Sequence, residues 1–145
     1  MSIWFQNHTL ESVQQRGVGT MVEHLGIVIE ELGPAHLSGS MPVDHRTVQP
    51  MGILHGGASV ALAETLGSIA ANLVIDPALK YCVGLDINAN HIRPARSGRV
   101  SGKASPLHLG ASTQVWQIEI MDEQEKLVCI SRLTMAVLNI AKKQV

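Results

Sequence analysis

Residues 58–75 read ASVALAETLGSIAANLVI, and no proline interrupts the chain until Pro77. Alanine and leucine dominate this stretch, which favours a helix, roughly 28 Å long at 1.5 Å per residue. Glu64, Ser68 and Asn72 break its apolar surface too often for a bilayer-spanning segment. The other long stretches look like strands. Residues 82–92, 99–108, 112–121 and 127–138 follow the helix. In the third, Trp116, Ile118 and Ile120 alternate with Gln117 and Glu119, giving one buried and one wet face. Gly98, Gly110 and the DEQEK run at 122–126 separate these strands, as antiparallel connections require. Two more candidates, 24–31 and 35–43, precede the helix and are parted by Gly33-Pro34. Residues 9–16 suit a short helix capped by Thr9, and 44–55 an irregular segment around Pro50 and Gly52. One helix cannot cover both faces of so long a sheet. The economical packing is α+β, a curved antiparallel sheet wrapped around one long central helix. It forms a single domain over residues 1–145, with its core at about 21–138. The outer face and edges of that sheet still need cover, so a homo-oligomer is expected.

Composition narrows the function classes. Hydrophobic residues make up 46% of the chain and aromatic ones only 3%, so the core is aliphatic. The formal net charge is −1 and no basic stripe appears, which argues against nucleic acid as a partner. Cys82 and Cys129 sit in apolar strand-like runs without zinc-ligand spacing, as buried thiols of a reducing cytosol would. No metal is implied. The start, Met1-Ser2-Ile3-Trp4, lacks a basic segment leading into an apolar run, so no secretory signal is expected. The expectation is a soluble cytoplasmic protein with no membrane partner.

The chemistry concentrates between Gln49 and Ser68. Glu64 is almost the only charge on its helix, among Val60, Ala61, Ala63, Leu66 and Gly67. A lone helical carboxylate usually marks a wet stripe. Here that reading is weakened by the apolar neighbours. A carboxylate partly removed from water is a stronger base or nucleophile. Ser68 lies one turn on, on the same face, placed either to orient a water or to bond a backbone carbonyl. Gly56 and Gly57 open the helix. Free N–H groups there suit an oxyanion formed during acyl transfer, although a Gly-Gly pair alone is more often a plain turn. His55 either donates to the same oxygen or fixes the loop, and Gln49 suits the acyl group or a water. Gly56 and Glu64 are eight residues apart, roughly 12 Å along one helix, too far to act on one carbonyl. Two protomers with antiparallel helices would bring Glu64 of one to Gly56 of the other, making two composite sites per dimer.

These residues resemble the hotdog-fold acyl-coenzyme A thioesterases of the 4-hydroxybenzoyl-CoA and phenylacetate-pathway type. The likeness runs from about Met21 to Leu138 and centres on Gln49 to Gly57 with Glu64. The strings MPVDHRT (41–47), GLDINANHIRP (84–94), PLHLG (106–110) and SRLT (131–134) resemble the menaquinone-pathway branch, which hydrolyses 1,4-dihydroxy-2-naphthoyl-CoA. A sister branch proofreads acyl groups misloaded in siderophore synthesis. The resemblance implies Glu64 as nucleophile or general base, and the Gly56 N–H polarising the thioester carbonyl. Gln49 and His55 would lie beside the thioester, and Ser68 would position water or the acyl ring. It implies a coenzyme A channel lined by Asn90, His91, Ile92 and Arg93, by His108, Leu109, Gly110, Ala111 and Ser112, and by Val83. No metal or bound cofactor is implied, since coenzyme A belongs to the substrate. The assembly implied is a homotetramer, a dimer of dimers. One departure stands out: no Arg or Lys follows Gly110, where many relatives carry one, and Arg96 and Arg99 are the cations that would compensate.

Two other readings stay open. A hotdog hydratase or dehydratase would pair His55 with Glu64 as acid and base. A non-catalytic acyl-CoA-binding module would keep the fold for sensing. The acyl group, aromatic or medium-chain, depends on pocket walls such as Val60, Leu62, Ile69 or Met135.

Overall fold

The apolar stretch after Gly56 sets the architecture. In the computed structural model, which describes residues 1–141, it forms α3, Gly56–Val74. Ser59, Leu62, Ala63, Leu66, Gly67, Ala70 and Ala71 are buried, and their three-and-four spacing makes one continuous stripe. By length and composition α3 could cross a bilayer, but this stripe packs on the chain's own sheet. Its opposite face, including Val60, Ala61, Glu64, Thr65, Ser68, Ile69 and Asn72, is only half-buried.

Among the described residues six strands form one antiparallel sheet: β1 (Val28–Leu32), β2 (Leu37–Pro42), β3 (Lys80–His91), β4 (Arg99–Leu109), β5 (Thr113–Met121) and β6 (Leu127–Asn139). Their order across the sheet is β1-β2-β4-β5-β6-β3. The sheet curls round α3, and Trp116, Ile118 and Ile120, whose alternation predicts a buried face, are all fully buried. A notch lets the helix approach closely. Gly39 of β2 pairs with Gly102 of β4, and Leu66 fills the space their missing side chains leave. A Cβ would stand 3.1 Å from Leu66 Cδ2 at Gly39 and 2.7 Å from Leu66 Cδ1 at Gly102. Buried polar groups are paired: Trp116 Nε1–H donates to Gln114 Oε1 at 2.9 Å, and Gln114 Nε2–H to the Ala71 carbonyl at 3.4 Å.

The N-terminal segment departs in part from expectation. The short helix appears as α1, Leu10–Gln14, followed by a 3₁₀ turn at Gln15–Gly17, with Thr9 Oγ1 accepting the Ser12 N–H. The strand expected over 24–31 begins only at Val28. Before it lies α2, Met21–His24, whose N-terminus is capped by Thr20 Oγ1 accepting the Val22 N–H. A capped turn satisfies the backbone groups that would otherwise seek a strand neighbour. At the opposite edge β3 has no outer neighbour among the described residues, and Tyr81, Val83 and Leu85 are exposed there.

Candidate active site

Glu64 lies midway along α3, off the buried stripe. With Ser68, Ala61, Thr65 and Ile69 it lines a hollow of about 410 Å³ whose far wall is Arg16, Thr20, Met21 and Val22. On its other side the carboxylate meets β3 at Gly84, where an added Cβ would stand 2.7 Å from Glu64 Oε1. Glu64, Ser68 and Asn72 follow one another at successive turns of the helix. The Ser68 hydroxyl makes a long contact to Met135 Sδ, 3.8 Å. Asn72 bonds β3 like a neighbouring strand: its Oδ1 accepts the Cys82 N–H at 2.9 Å and its Nδ2–H donates to the Cys82 carbonyl at 3.2 Å.

The start of α3 is a different place. His55 caps it, with Nδ1 accepting the Gly57 N–H at 2.8 Å. The Ala58 and Ser59 N–H groups both donate to the His55 carbonyl, at 2.9 and 3.2 Å. The first N–H of a helix has no intrahelical acceptor, so Gly56 keeps the donor of this turn that can serve a ligand. Gly56 faces the His91 ring and shares with Gln49, His91, Ile92 and Arg93 a second hollow, also about 410 Å³. Here Arg93 Nη1–H donates to the Leu127 carbonyl at 3.0 Å. The Gln49 side-chain oxygen accepts the Met51 N–H within its own turn.

The remaining candidates are spread out. Asn90 lies in a polar hollow with Asn88, Gln117 and Arg132, apart from that of His91. Val83 is exposed on the β3 edge. His108 and Leu109 are the exposed end of β4, and half-buried Gly110 with exposed Ala111 and Ser112 makes the turn into β5. The next residues place this turn near the C-terminal end of α3, where Gln114 reaches Ala71. Within one protomer the structure therefore brings Gln49, Gly56, His91, Ile92 and Arg93 together. It brings Glu64 to Ser68, and leaves the 108–112 turn beyond both. Arg99 is not free to compensate for the missing cation after Gly110: its Nε–H donates to Ser40 Oγ at 3.0 Å and its Nη2–H to the Gly26 carbonyl at 3.1 Å. Of the suggested pocket walls, Leu62 and Met135 are fully buried, whereas Ile69 lines the Glu64 hollow.

Sequence reasoning missed Gly84 and the Arg16–Val22 wall. Nothing local to either marks its position opposite Glu64, because both reach it only through tertiary folding. Asn72 carried a usable signal, being a second polar residue at four-residue spacing after Ser68. Among the described residues, no cluster of three or more His, Cys, Asp or Glu is disposed to hold a metal ion.

One antiparallel sheet curled round one central helix is the hotdog fold, and in it a carboxylate sits half-buried on the core helix. Comparison with known proteins agrees. Residues 51–129 match the thioesterase superfamily. The 1,4-dihydroxy-2-naphthoyl-CoA hydrolase of Escherichia coli is 55% identical over 136 residues, covering 94% of this chain and 99% of that one. The proofreading thioesterase EntH of Cronobacter sakazakii is 52% identical over 136 residues, covering 94% and 98% respectively. The crystal structure of a thioesterase from Haemophilus influenzae superposes with a TM-score of 0.93 at 51% identity, covering 99% of each chain. This chain belongs to the thioesterase superfamily, and it is a thioester hydrolase with the hotdog fold.

Proposed function

We propose that the protein hydrolyses the thioester of an aromatic acyl-coenzyme A, with 1,4-dihydroxy-2-naphthoyl-CoA of menaquinone biosynthesis as the first candidate. The single observation that carries this reading is Glu64: a carboxylate on an otherwise apolar core helix, open to a hollow and backed by the Gly84 backbone. The 55% identity to the E. coli hydrolase supports the naphthoyl group in particular, and a medium-chain acyl-CoA is the alternative substrate. The setting proposed is the cytoplasm, where Cys82 and Cys129 would stay free thiols.

In this reading Glu64 attacks the thioester carbon or takes a proton from an attacking water. Negative charge then develops on the carbonyl oxygen, where the Gly56 N–H would receive it. As that charge returns to the carbonyl the C–S bond breaks and coenzyme A leaves as its thiol, and where Glu64 is the nucleophile water then opens the anhydride to free acid and carboxylate. Gln49 and His55 lie on the same side as that N–H, and Ser68 steadies the acyl ring or the water. The Nδ1 of His55 is committed to Gly57, which disfavours the acid–base pairing that a hydratase needs. Because Glu64 and Gly56 open into separate hollows, the working unit is a homo-oligomer in which partner subunits complete each other's sites. His91 to Arg93 and the 108–112 turn would hold coenzyme A across that junction. The chemistry needs only water, a carboxylate and a backbone donor.

The test is thiol release from 1,4-dihydroxy-2-naphthoyl-CoA, benzoyl-CoA and decanoyl-CoA by the wild type and Glu64→Gln. Loss of the general base or nucleophile should lower kcat by about 10²- to 10⁴-fold. A Glu64→Gln enzyme with wild-type kcat would sink the assignment, and thiol release from decanoyl-CoA alone would sink the aromatic specificity.

A further inference from the structure

We propose that Gly84 is the positioning residue of the thioesterase site: the absence of a side chain there, together with the bulge that follows it, sets where the Glu64 carboxylate stands. The inference rests on Glu64 being the catalytic carboxylate, and adds the question of what aims it.

Three observations lead to it. First, Glu64 Oε1 occupies the space a side chain at Gly84 would need. A Cβ built there lies 2.7 Å from Oε1, closer than real Cβ contacts come. Secondly, the depth of β3 against α3 is fixed two residues earlier. Both backbone groups of Cys82 are bonded by the amide of Asn72, two helical turns beyond Glu64. The strand therefore cannot retreat freely from the carboxylate. Thirdly, the β3–β6 register slips between Gly84 and Asp86, so Leu85 is an extra residue. A bulge exchanges the faces of the residues beyond it. Cys82 and Gly84 face α3 before the slip, and His91 faces the start of α3 after it. Were β3 to run on in unbroken alternation with Leu85 paired, Asp86 would turn towards the helix, one strand step from Glu64, and Asn90 would replace His91 beside Gly56. The bulge thus keeps a second carboxylate away from the first.

A methyl group at Gly84 would meet only the far end of a flexible glutamate, so the carboxylate should swing aside while the fold stands. Alanine also suits a strand better than glycine does.

The experiment compares wild type, Gly84→Ala, Glu64→Asp and the double variant, with Glu64→Gln as reference, measuring kcat, KM and Tm on the best acyl-CoA. Gly84→Ala is expected to lower kcat about ten- to a hundredfold, as misplacements of this size do, with Tm held and KM changed by less than about twofold. Aspartate is one methylene shorter and clears the new methyl group. The double variant should therefore be no slower than the slower single one. Wild-type kcat in Gly84→Ala, or penalties that simply multiply in the double variant, would overturn the proposal; the second outcome also covers loss of activity through a damaged strand or subunit contact. A Glu64→Gln enzyme of full activity defeats the catalytic reading itself. An inactive Glu64→Gln beside a fully active Gly84→Ala defeats only the role of Gly84.

Discussion

A cap made by one histidine determines what the first turn of α3 can offer a substrate. With Gly57 bonded to His55 Nδ1 and the next two N–H groups bonded to the His55 carbonyl, Gly56 alone has a donor to spare. Proline is accepted at the first helical position and lacks only that N–H. His55 already has the extended backbone (φ −67°, ψ 131°) that a following proline requires, and the exposed His91 ring can move from the added carbons. Gly56→Pro should keep its melting temperature while kcat falls about 10²- to 10³-fold; an unchanged kcat would show that the reaction does not use this donor. The two cysteines concern the assay itself. Burial pushes the thiols of Cys82 and Cys129 up from their ordinary range. Below that range both stay protonated and slow to attack a disulfide reagent. Native protein should contribute almost no colour to a thiol-release assay, and two thiols per chain after denaturation. Rapid native labelling would contradict their burial. At this scale the sequence revealed residue types and only some of their roles. Glu64 stood out because its neighbours are apolar. His55 carried two readings, donor and loop anchor, that spacing alone could not separate. Gly84 resembled any strand glycine, since its one significant contact comes from a helix twenty residues earlier.

Secondary structure was legible wherever a periodic pattern ran on for several residues. The buried stripe of α3 follows from three-and-four spacing, and β5 from strict alternation. The start of β1 was misplaced because Thr20 turns residues 21–24 into a capped helical turn, a local bond that outweighs the strand pattern of a short apolar run. What the patterns could not reveal is how close helix and sheet come. That distance depends on Gly39 and Gly102, which are adjacent only once β2 pairs with β4. The two glycines differ in what a methyl group would strike. At Gly39 it meets the Val28 carbonyl oxygen at 2.6 Å, a backbone atom, as well as Leu66. At Gly102 the three nearest atoms all belong to leucine side chains, the closest at 2.7 Å. Gly39→Ala should therefore destabilise by about 1–3 kcal/mol, a fall in Tm of about 3–10 °C for a domain of this size. Gly102→Ala should cost less. Thermal melts of the two variants check the order, and equal losses would mean that Leu66 rather than the backbone sets the penalty.

For the whole molecule, the unfinished parts of the protomer belong together. The exposed twelve-residue edge of β3, the half-buried outer face of α3 and the separation of Glu64 from Gly56 would all be answered by the second copy that the proposed function requires. A free strand edge invites pairing, and a two-fold axis would place each subunit's β3 and α3 against those of its partner. If each site takes Glu64 from one subunit and the Gly56 N–H from the other, two inactive variants can rescue one another. Mixing Glu64→Gln with Gly56→Pro subunits and letting them exchange yields heterodimers in which one site carries both defects and the other neither. With random pairing half the dimers are mixed and half their sites intact, so activity should recover to about a quarter of wild type. Sites built within single subunits give no recovery, because every site in the mixture keeps one defect. Either variant incubated alone supplies the baseline. Size-exclusion chromatography with light scattering, run on the same mixtures, confirms that the subunits remain associated while they exchange. Recovery near a quarter would make the dimer the catalytic unit. Failure to recover in subunits proved to exchange would return the whole reaction to one protomer, and would require Glu64 and Gly56 to approach each other by a rearrangement of α3 itself.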